Sequence, residues 1–337
     1  MPVRLKDIAD DLNLSKMTIS KVLRGQTDIS DATKARVLQR VKELKYIPNI
    51  SASSLRTGRT KTIGLILPSM GKTYLGDVAA GINRTVSAAG YSLVVCSSQN
   101  DVEIEQRQIE VFLSLQVDAL LIISTQETTT FFEQLQKPKK MPLIFVDHKP
   151  SGTTQNFVGV REEDVGRIAC EHLISCGCRR IAYIRGPRTA MGDLRSKGYR
   201  QAMSDHGLTA QPDLMIDNMG SGESEYKRGS DAMVRLLARR GRPEGVMTYT
   251  DVMAIGAMDA ARSHGVKIPQ EMRFIGCGND SLLCELGVSL SSIDIRGHEL
   301  GQRAGRLALR SIAAGHKAGI HKVFVAPKLV KRESSAR

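Results

Sequence analysis

Residues 3–24, Val-Arg-Leu-Lys-Asp-Ile-Ala-Asp-Asp-Leu-Asn-Leu-Ser-Lys-Met-Thr-Ile-Ser-Lys-Val-Leu-Arg, read as two short helices joined by a tight turn. In the first, Leu5, Ile8, Ala9 and Leu12 recur at helical spacing and share one face. Asn13-Leu14 interrupts that pattern, and Ser15 suits the cap of a second helix, because its hydroxyl can accept a free N–H of the first turn. In the second helix Ile19, Val22 and Leu23 form the stripe expected to be buried, with Met17, Ser20, Lys21 and Arg24 on the opposite face. A short helix that turns long polar and cationic side chains away from a small core suits entry into a DNA major groove. A surface hairpin with a solvated basic face has the same pattern, and short helix-turn-helix matches recur by chance.

Working outward, Gly25-Gln26-Thr27-Asp28 forms a loop, and Ser30 is placed to cap a third helix whose inward stripe is predicted as Ala35, Leu38, Val41 and Leu44. Tyr46-Ile47-Pro48-Asn49 ends it, since the residue before a proline is pushed out of helical geometry. Residues 1–47 are thus expected to be an all-α helix-turn-helix head. Residues 48–61 follow as a hinge, rich in Ser and Thr and too poor in apolar surface to fold alone. Ala52 and Leu55 at i, i+3 and the stop at Gly58 nevertheless fit a conditional helix there.

From Thr62 the pattern changes. Ile63-Gly-Leu-Ile-Leu67, Ser92-Leu-Val-Val-Cys96, Val117–Ile123 and Pro142–Asp147 read as strands, alternating with helices over about 75–89 and 103–116. The alternation restarts with helices near 164–176, 194–206, 226–239 and 251–264, and strands at 180–184, 245–248 and 272–276. A helix at about 297–314 and a strand at 323–325 complete the chain. Strands alternating with helices of this length imply parallel sheets with right-handed crossovers. The expected fold is therefore the helical head plus an α/β core of two doubly wound parallel-sheet lobes. Lobe 1 is assigned about 62–160 and 295–322, and lobe 2 about 161–292 and 323–337. A cleft is expected at the carboxyl ends of both sheets, where ligands commonly bind.

Composition narrows the function. The formal charge is +13, which favours a polyanionic partner, although a solvated basic surface also produces it. Residues 1–60 carry 12 Lys+Arg against 6 Asp+Glu, so the excess is concentrated in the head and hinge. No apolar run reaches the length of a membrane span, and the N-terminus lacks the apolar core of a signal peptide, so a cytoplasmic protein is expected. Cys96, Cys170, Cys176, Cys178, Cys277 and Cys284 contain no C-x-x-C pair. Even with His172 near Cys170, the spacing misses the common zinc patterns, and reduced structural thiols are the expectation. No metal and no cofactor is expected.

The residues then carry a resemblance. Asp7-Ile8-Ala9, Leu14-Ser15, Thr18-Ile19-Ser20 and Leu23, with Leu44-Lys-Tyr-Ile-Pro-Asn49, Ala52 and Leu55, are similar to the lactose/galactose-repressor family of bacterial transcription regulators. The similarity continues through Gln108 to Ile122, Gly177 to Ile181, Gly186-Pro187, Arg195-x-x-Gly-Tyr199, Asp251-x-x-Ala-x-Gly-Ala257, Gly265-x-x-Ile-Pro269 and Pro327-Lys-Leu-Val-Lys-Arg-Glu-Ser334. It spans nearly the whole chain, with head and core in the same order. The resemblance implies a periplasmic-binding-protein-like core, operator DNA as one partner, a small sugar or sugar-acid effector as another, and a homodimer, with a tetramer left open.

It also implies roles. Base reading falls to Lys16, Met17 and Lys21, within a DNA-binding set of Lys6, Ser15, Thr18, Ser20 and Arg24 and the hinge residues Asn49, Ala52, Ser53, Leu55 and Arg56. Leu55 is expected to enter the minor groove as a wedge when the hinge becomes helical on DNA. The effector set is Tyr74, Asp147, Arg161, Arg195, Thr250, Asp251 and Asn279. Two departures from the family pattern stand out. Val160-Arg161 replaces the common Asp or Asn after the fifth core strand, and Gly278 stands in Gly276-Cys-Gly-Asn279 where a carboxylate is usual. One acceptor lost and one cation gained tilts the cleft toward an acidic sugar derivative. A neutral sugar, with Arg161 in solvent and Asn279 or Asp280 replacing the acceptor, is the competing expectation.

Two other classes compete with this reading. Gly71-Lys72-Thr73 resembles the end of a phosphate-binding loop, but position 66, where the motif needs glycine, is Ile66. No nucleophile triad or carboxylate cluster stands out, and His148 reads as structural or ligand-contacting, so no enzyme is expected. A sugar-binding protein without a DNA role is the remaining alternative, and the basic head argues against it. The sign of regulation is open between induction and corepression, with induction favoured.

Overall fold

The computed structural model describes residues 3–23, 26–46, 58–136, 141–186, 190–217, 224–280, 287–315 and 319–336. Arg24 and the hinge residues Asn49, Ala52, Ser53, Leu55 and Arg56 lie outside these, as does Cys284. The chain divides into two compact units, residues 1–60 and 61–337.

In the first unit α1 spans Leu5–Leu12, α2 Lys16–Leu23 and α3 Asp31–Glu43. Asn13 terminates α1 in the left-handed conformation at φ 53°, which asparagine tolerates. Ser15 Oγ then accepts from Thr18 N at 3.0 Å and starts α2, while Ser30 Oγ accepts from Thr33 N at 3.3 Å and starts α3. Ile8, Ala9, Ile19, Val22 and Val37 are buried together, with Leu5, Leu12, Leu14, Leu23, Val41 and Leu44 packed around them. Here the stripe expected on α3 is corrected. Leu38 is 53% exposed and Ala35 is exposed; Val37, Val41 and Leu44, at i, i+4 and i+7, face the core instead.

The second unit contains two six-stranded sheets. The first has β1 (Thr62–Leu67), β2 (Ser92–Ser97), β3 (Ala119–Ile122), β4 (Leu143–Val146), β5 (Asn156–Val160) and β11 (Lys322–Val325), in the order β11-β5-β4-β3-β1-β2, all parallel. Around it lie α4 (Thr73–Ala88), α5 (Val102–Ser114), α6 (Thr130–Gln136) and α11 (Gly297–Ala314). The second has β6 (Ile181–Arg185), β7 (Met215–Asp217), β8 (Gly245–Thr248), β9 (Arg273–Cys277), β10 (Ser291–Asp294) and β12 (Lys328–Val330), in the order β12-β10-β9-β8-β6-β7. Only β12 runs antiparallel, on β10. Helices α7 (Glu162–Ser175), α8 (Ala190–Asp205), α9 (Glu225–Leu237) and α10 (Asp251–Ser263) pack with it.

Sheet membership corrects one boundary. Residues 323–325 belong to lobe 1, because β11 pairs with β5 from Lys322↔Phe157 to Val325↔Val160. The last crossing to lobe 2 comes two residues later, just before β12. Buried strands such as Leu143-Ile-Phe-Val146 are continuous apolar runs, as helices on both faces require. No helix among the described residues is long and apolar enough to cross a membrane.

Candidate functional site

In the first unit, α2 carries the polar face. Met17 is 68% exposed, Lys6, Ser15 and Lys16 are exposed, and Thr18, Ser20 and Lys21 are half-buried. The Ser15 and Thr18 hydroxyls lie 2.9 Å apart and serve the helix start. The Lys21 ammonium pairs with Asp28 in the loop after α2. Arg40 pairs with Asp11 and, at 2.9 Å, with Glu43, tying α3 to α1.

In the second unit a cavity of about 250 Å3 lies between the lobes. It opens at the carboxyl ends of the strands: Pro68 follows β1, Ile123 follows β3, Asp147 follows β4, Tyr249 follows β8, Cys277 ends β9 with Gly278–Asp280 after it, and Ile295 follows β10. Six of the seven predicted effector residues, Tyr74, Asp147, Arg195, Thr250, Asp251 and Asn279, line it. Arg161 does not, and the expectation that it adds a cation to the cleft is corrected. Its backbone caps α7, its side chain is exposed, and its guanidinium lies 5.5 Å over the Phe324 ring. The next residue, Glu162, lines the cavity instead and is 4% exposed.

Glu162 holds Arg195. The guanidinium Nη2 stands 2.5 Å and Nε 2.6 Å from Glu162 Oε2, while Nη1 donates to Tyr249 O at 2.8 Å. Arg195 also lies 4.4 Å over the Tyr249 ring. Burial pushes the Glu162 carboxyl above its ordinary value, and the Arg195 charge opposes that. The other cleft cation is likewise paired. Lys72 Nζ reaches Glu225 Oε1 at 2.8 Å, and Thr250 Oγ1 donates to Glu225 Oε2 at 2.8 Å. The phosphate-loop-like Gly71-Lys72-Thr73 is therefore part of the cavity wall.

Asp251 is buried and internally bonded. Ser292 Oγ donates to its Oδ1 at 2.6 Å and Asp280 N to its Oδ2 at 3.1 Å. Burial raises its pKa to about 6 against these bonds. Glycine at 278 suits the backbone there. Gly278 has φ +127°, and a Cβ there meets Asp251 Oδ2 at 3.1 Å. Asn279 Oδ1 accepts from Arg332 Nη2 at 2.7 Å, leaving its amide N–H groups for other partners.

Asp147 differs from these. It is 8% exposed, lines the cavity beside Tyr74 and adopts φ 60°. The buried Tyr74 hydroxyl faces the Asp147 carboxylate. Burial, then the Asp147 charge, hold the Tyr74 pKa well above its ordinary value, so the hydroxyl stays a donor. Close approach of Gly297, where a Cβ meets Tyr74 Cδ2 at 2.8 Å, fixes the ring. Glu162, Glu225, Tyr249, Lys72 and Asp77 also line the cavity, outside the effector set expected from the sequence. Glu162 was hidden among Glu162-Glu163-Asp164, ordinary acidic residues of a first helical turn. Among the described residues no group of three His, Cys, Asp or Glu is placed to hold a metal.

Residues 4–49 match the model of bacterial regulatory proteins of the lacI family, and residues 170–335 match a periplasmic binding protein-like domain. The ribose operon repressor of Escherichia coli (strain K12) is 31% identical over 301 residues, covering 89% of this chain and 90% of that protein. The HTH-type transcriptional repressor PurR of Haemophilus influenzae (strain PittEE) is 28% identical over 335 residues, covering 98% of each. In fold, a Lac repressor dimer bound to operator and the anti-inducer ONPF superposes with TM-score 0.88 at 24% identity over all of both chains. A regulator of this kind from Silicibacter pomeroyi gives 0.81, also at 24%.

Proposed function

The chain belongs to the lacI family of bacterial regulatory proteins, and from that premise we propose that this DNA-binding transcription regulator is a homodimeric repressor whose effector is a neutral polyhydroxylated molecule, such as a monosaccharide. The head reads operator DNA through α2, with Lys16, Met17 and Lys21 toward the base edges. The effector occupies the cleft and shifts the equilibrium between core states only by its differential affinity for them. The cavity sits at or below the lower end of the roughly 300–1,000 Å3 range of drug-sized sites, which suits a small ligand.

One observation supports the neutral class above the acidic one. Both cleft cations, Arg195 and Lys72, are already paired with carboxylates, while the Asp147 carboxylate lines the cavity as an acceptor beside Tyr74. A sugar hydroxyl can donate to Asp147, whereas a ligand carboxylate meets Asp147 as a like charge. Calorimetry on the full chain with aldoses and their matching aldonates tests this. The neutral member of a pair is expected to bind and to be lost in Asp147→Asn. Tighter binding of the acid overturns the reading.

A further inference from the structure

The second sheet has another end. Its carboxyl edge forms the cavity, and the amino ends of β6, β8 and β9 form the opposite pole of that lobe, where arginines gather. Arg179 and Arg180 lead into β6, Arg239, Arg240 and Arg242 lie in the turn from α9 to β8, and Arg273 opens β9. Hydrogen bonds hold the three segments side by side. Arg180 Nη2 donates to Gly241 O at 2.7 Å, Glu244 Oε2 accepts the backbone N–H of Arg179 at 2.5 Å and of Arg180 at 3.1 Å, and Arg273 N donates to Glu244 O at 2.9 Å.

Arg179, Arg239, Arg240 and Arg242 are exposed. Arg180 and Arg273 are half-buried, and each has a buried Nε–H without a hydrogen-bond partner. The acids nearby compensate little. Glu244 and Asp213 set two carboxylates against six guanidinium groups, and Asp213 stands 3.7 Å from Arg239 with both side chains well exposed. The turn 238–244 carries no aromatic or large aliphatic side chain, and Pro243 is buried. It therefore lacks the apolar centre of a protein interface and the stacking platform of a single-strand binder. Forked donors spread over an exposed loop match a row of phosphates.

We propose that this pole binds the backbone of a second duplex DNA segment, without regard to sequence, while the head is engaged on its operator. A protein anchored to DNA meets neighbouring duplex at high effective concentration, so a few phosphate contacts suffice. The inference does not depend on the identity of the effector.

The test uses the full chain with its heads saturated by operator duplex, followed by a random-sequence duplex carrying a second label at low salt. Wild type should co-capture the second duplex, with a log–log salt slope of roughly −3 for about three contacts. Arg239→Ala/Arg240→Ala/Arg242→Ala should lower co-capture at least about ten-fold while operator affinity stays within about two-fold. The matching triple lysine variant should retain most of it, which separates charge from folding. Absence of co-capture by wild type, equal co-capture by the alanine variant, or equally effective competition by polyglutamate overturns the proposal.

Discussion

Lys72 Nζ stands 2.8 Å from Glu225 Oε1, joining the start of α4 in one lobe to the start of α9 in the other. The pair crosses the cavity rim, and Lys72 is 53% exposed, so it is worth no more than a surface ion pair, about 0.2–1 kcal/mol. Glu225→Gln is expected to speed effector dissociation by up to about five-fold at low salt. The difference should vanish near 1 M salt, where screening acts over about 3 Å. Stopped-flow release of bound effector measures this, and equal rates at low salt contradict it.

Arg195 and Glu162 form the buried counterpart, at 6% and 4% exposure. Removing one partner strands the other's charge, so Arg195→Met should cost about 3–5 kcal/mol in urea unfolding. The double variant Arg195→Met/Glu162→Gln should be less unstable than the sum of the single variants. Additivity in that cycle contradicts a coupled pair.

His172 sets an acid limit. Its Nε2 lies 2.7 Å from Ser335 Oγ, and burial, then the charge of Lys331, lower its pKa to about 4. The unfolded chain, near 6.5, binds the proton more readily, so this stability is present above about pH 6.5 and is lost as pH falls toward 4. Asp251 acts oppositely. Its raised pKa of about 6 gives stability below the ordinary aspartate value that is lost as pH rises through 6. Comparison with His172→Gln isolates the first effect. The advantage of wild type should shrink between pH 6.5 and 4 by on the order of 3 kcal/mol, and a pH-independent difference contradicts it.

On the head, Lys21→Ala should weaken operator binding by about 1–3 kcal/mol and relax preference at one base position. The Lys21–Asp28 pair is solvent-accessible and weak, so Asp28→Asn should leave that preference in place. Equal loss on operator and random duplex assigns Lys21 to the phosphates instead.

Much of this was legible in the sequence, for identifiable reasons. Helix starts at Ser15 and Ser30 announce themselves because capping is local chemistry. Strands such as β4 do so because both faces are buried. By contrast, β10 (Ser291-Ser-Ile-Asp294) is built of buried serines, Ser291 and Ser292, that bond to Ser334 and Asp251 across long sequence separations, and no local pattern marks it. The exchange of Arg161 for Glu162 in the cleft follows from the same limit. Which side chain of a first helical turn faces inward depends on where the crossing from β5 aims the helix, and no periodicity of adjacent charged residues encodes that. The placement of β11 turned on a crossing at 326–327, which has no composition signal.

The most direct measurement is operator affinity of the full chain, titrated with and without each member of a panel of neutral aldoses and matching aldonates. A neutral sugar should shift the operator dissociation constant by about 5–150-fold, the usual range of such coupling, and Asp147→Asn should abolish the shift while leaving unliganded operator affinity unchanged. A shift produced by the aldonate and not by its sugar, or one that survives Asp147→Asn, contradicts the assignment of the cleft.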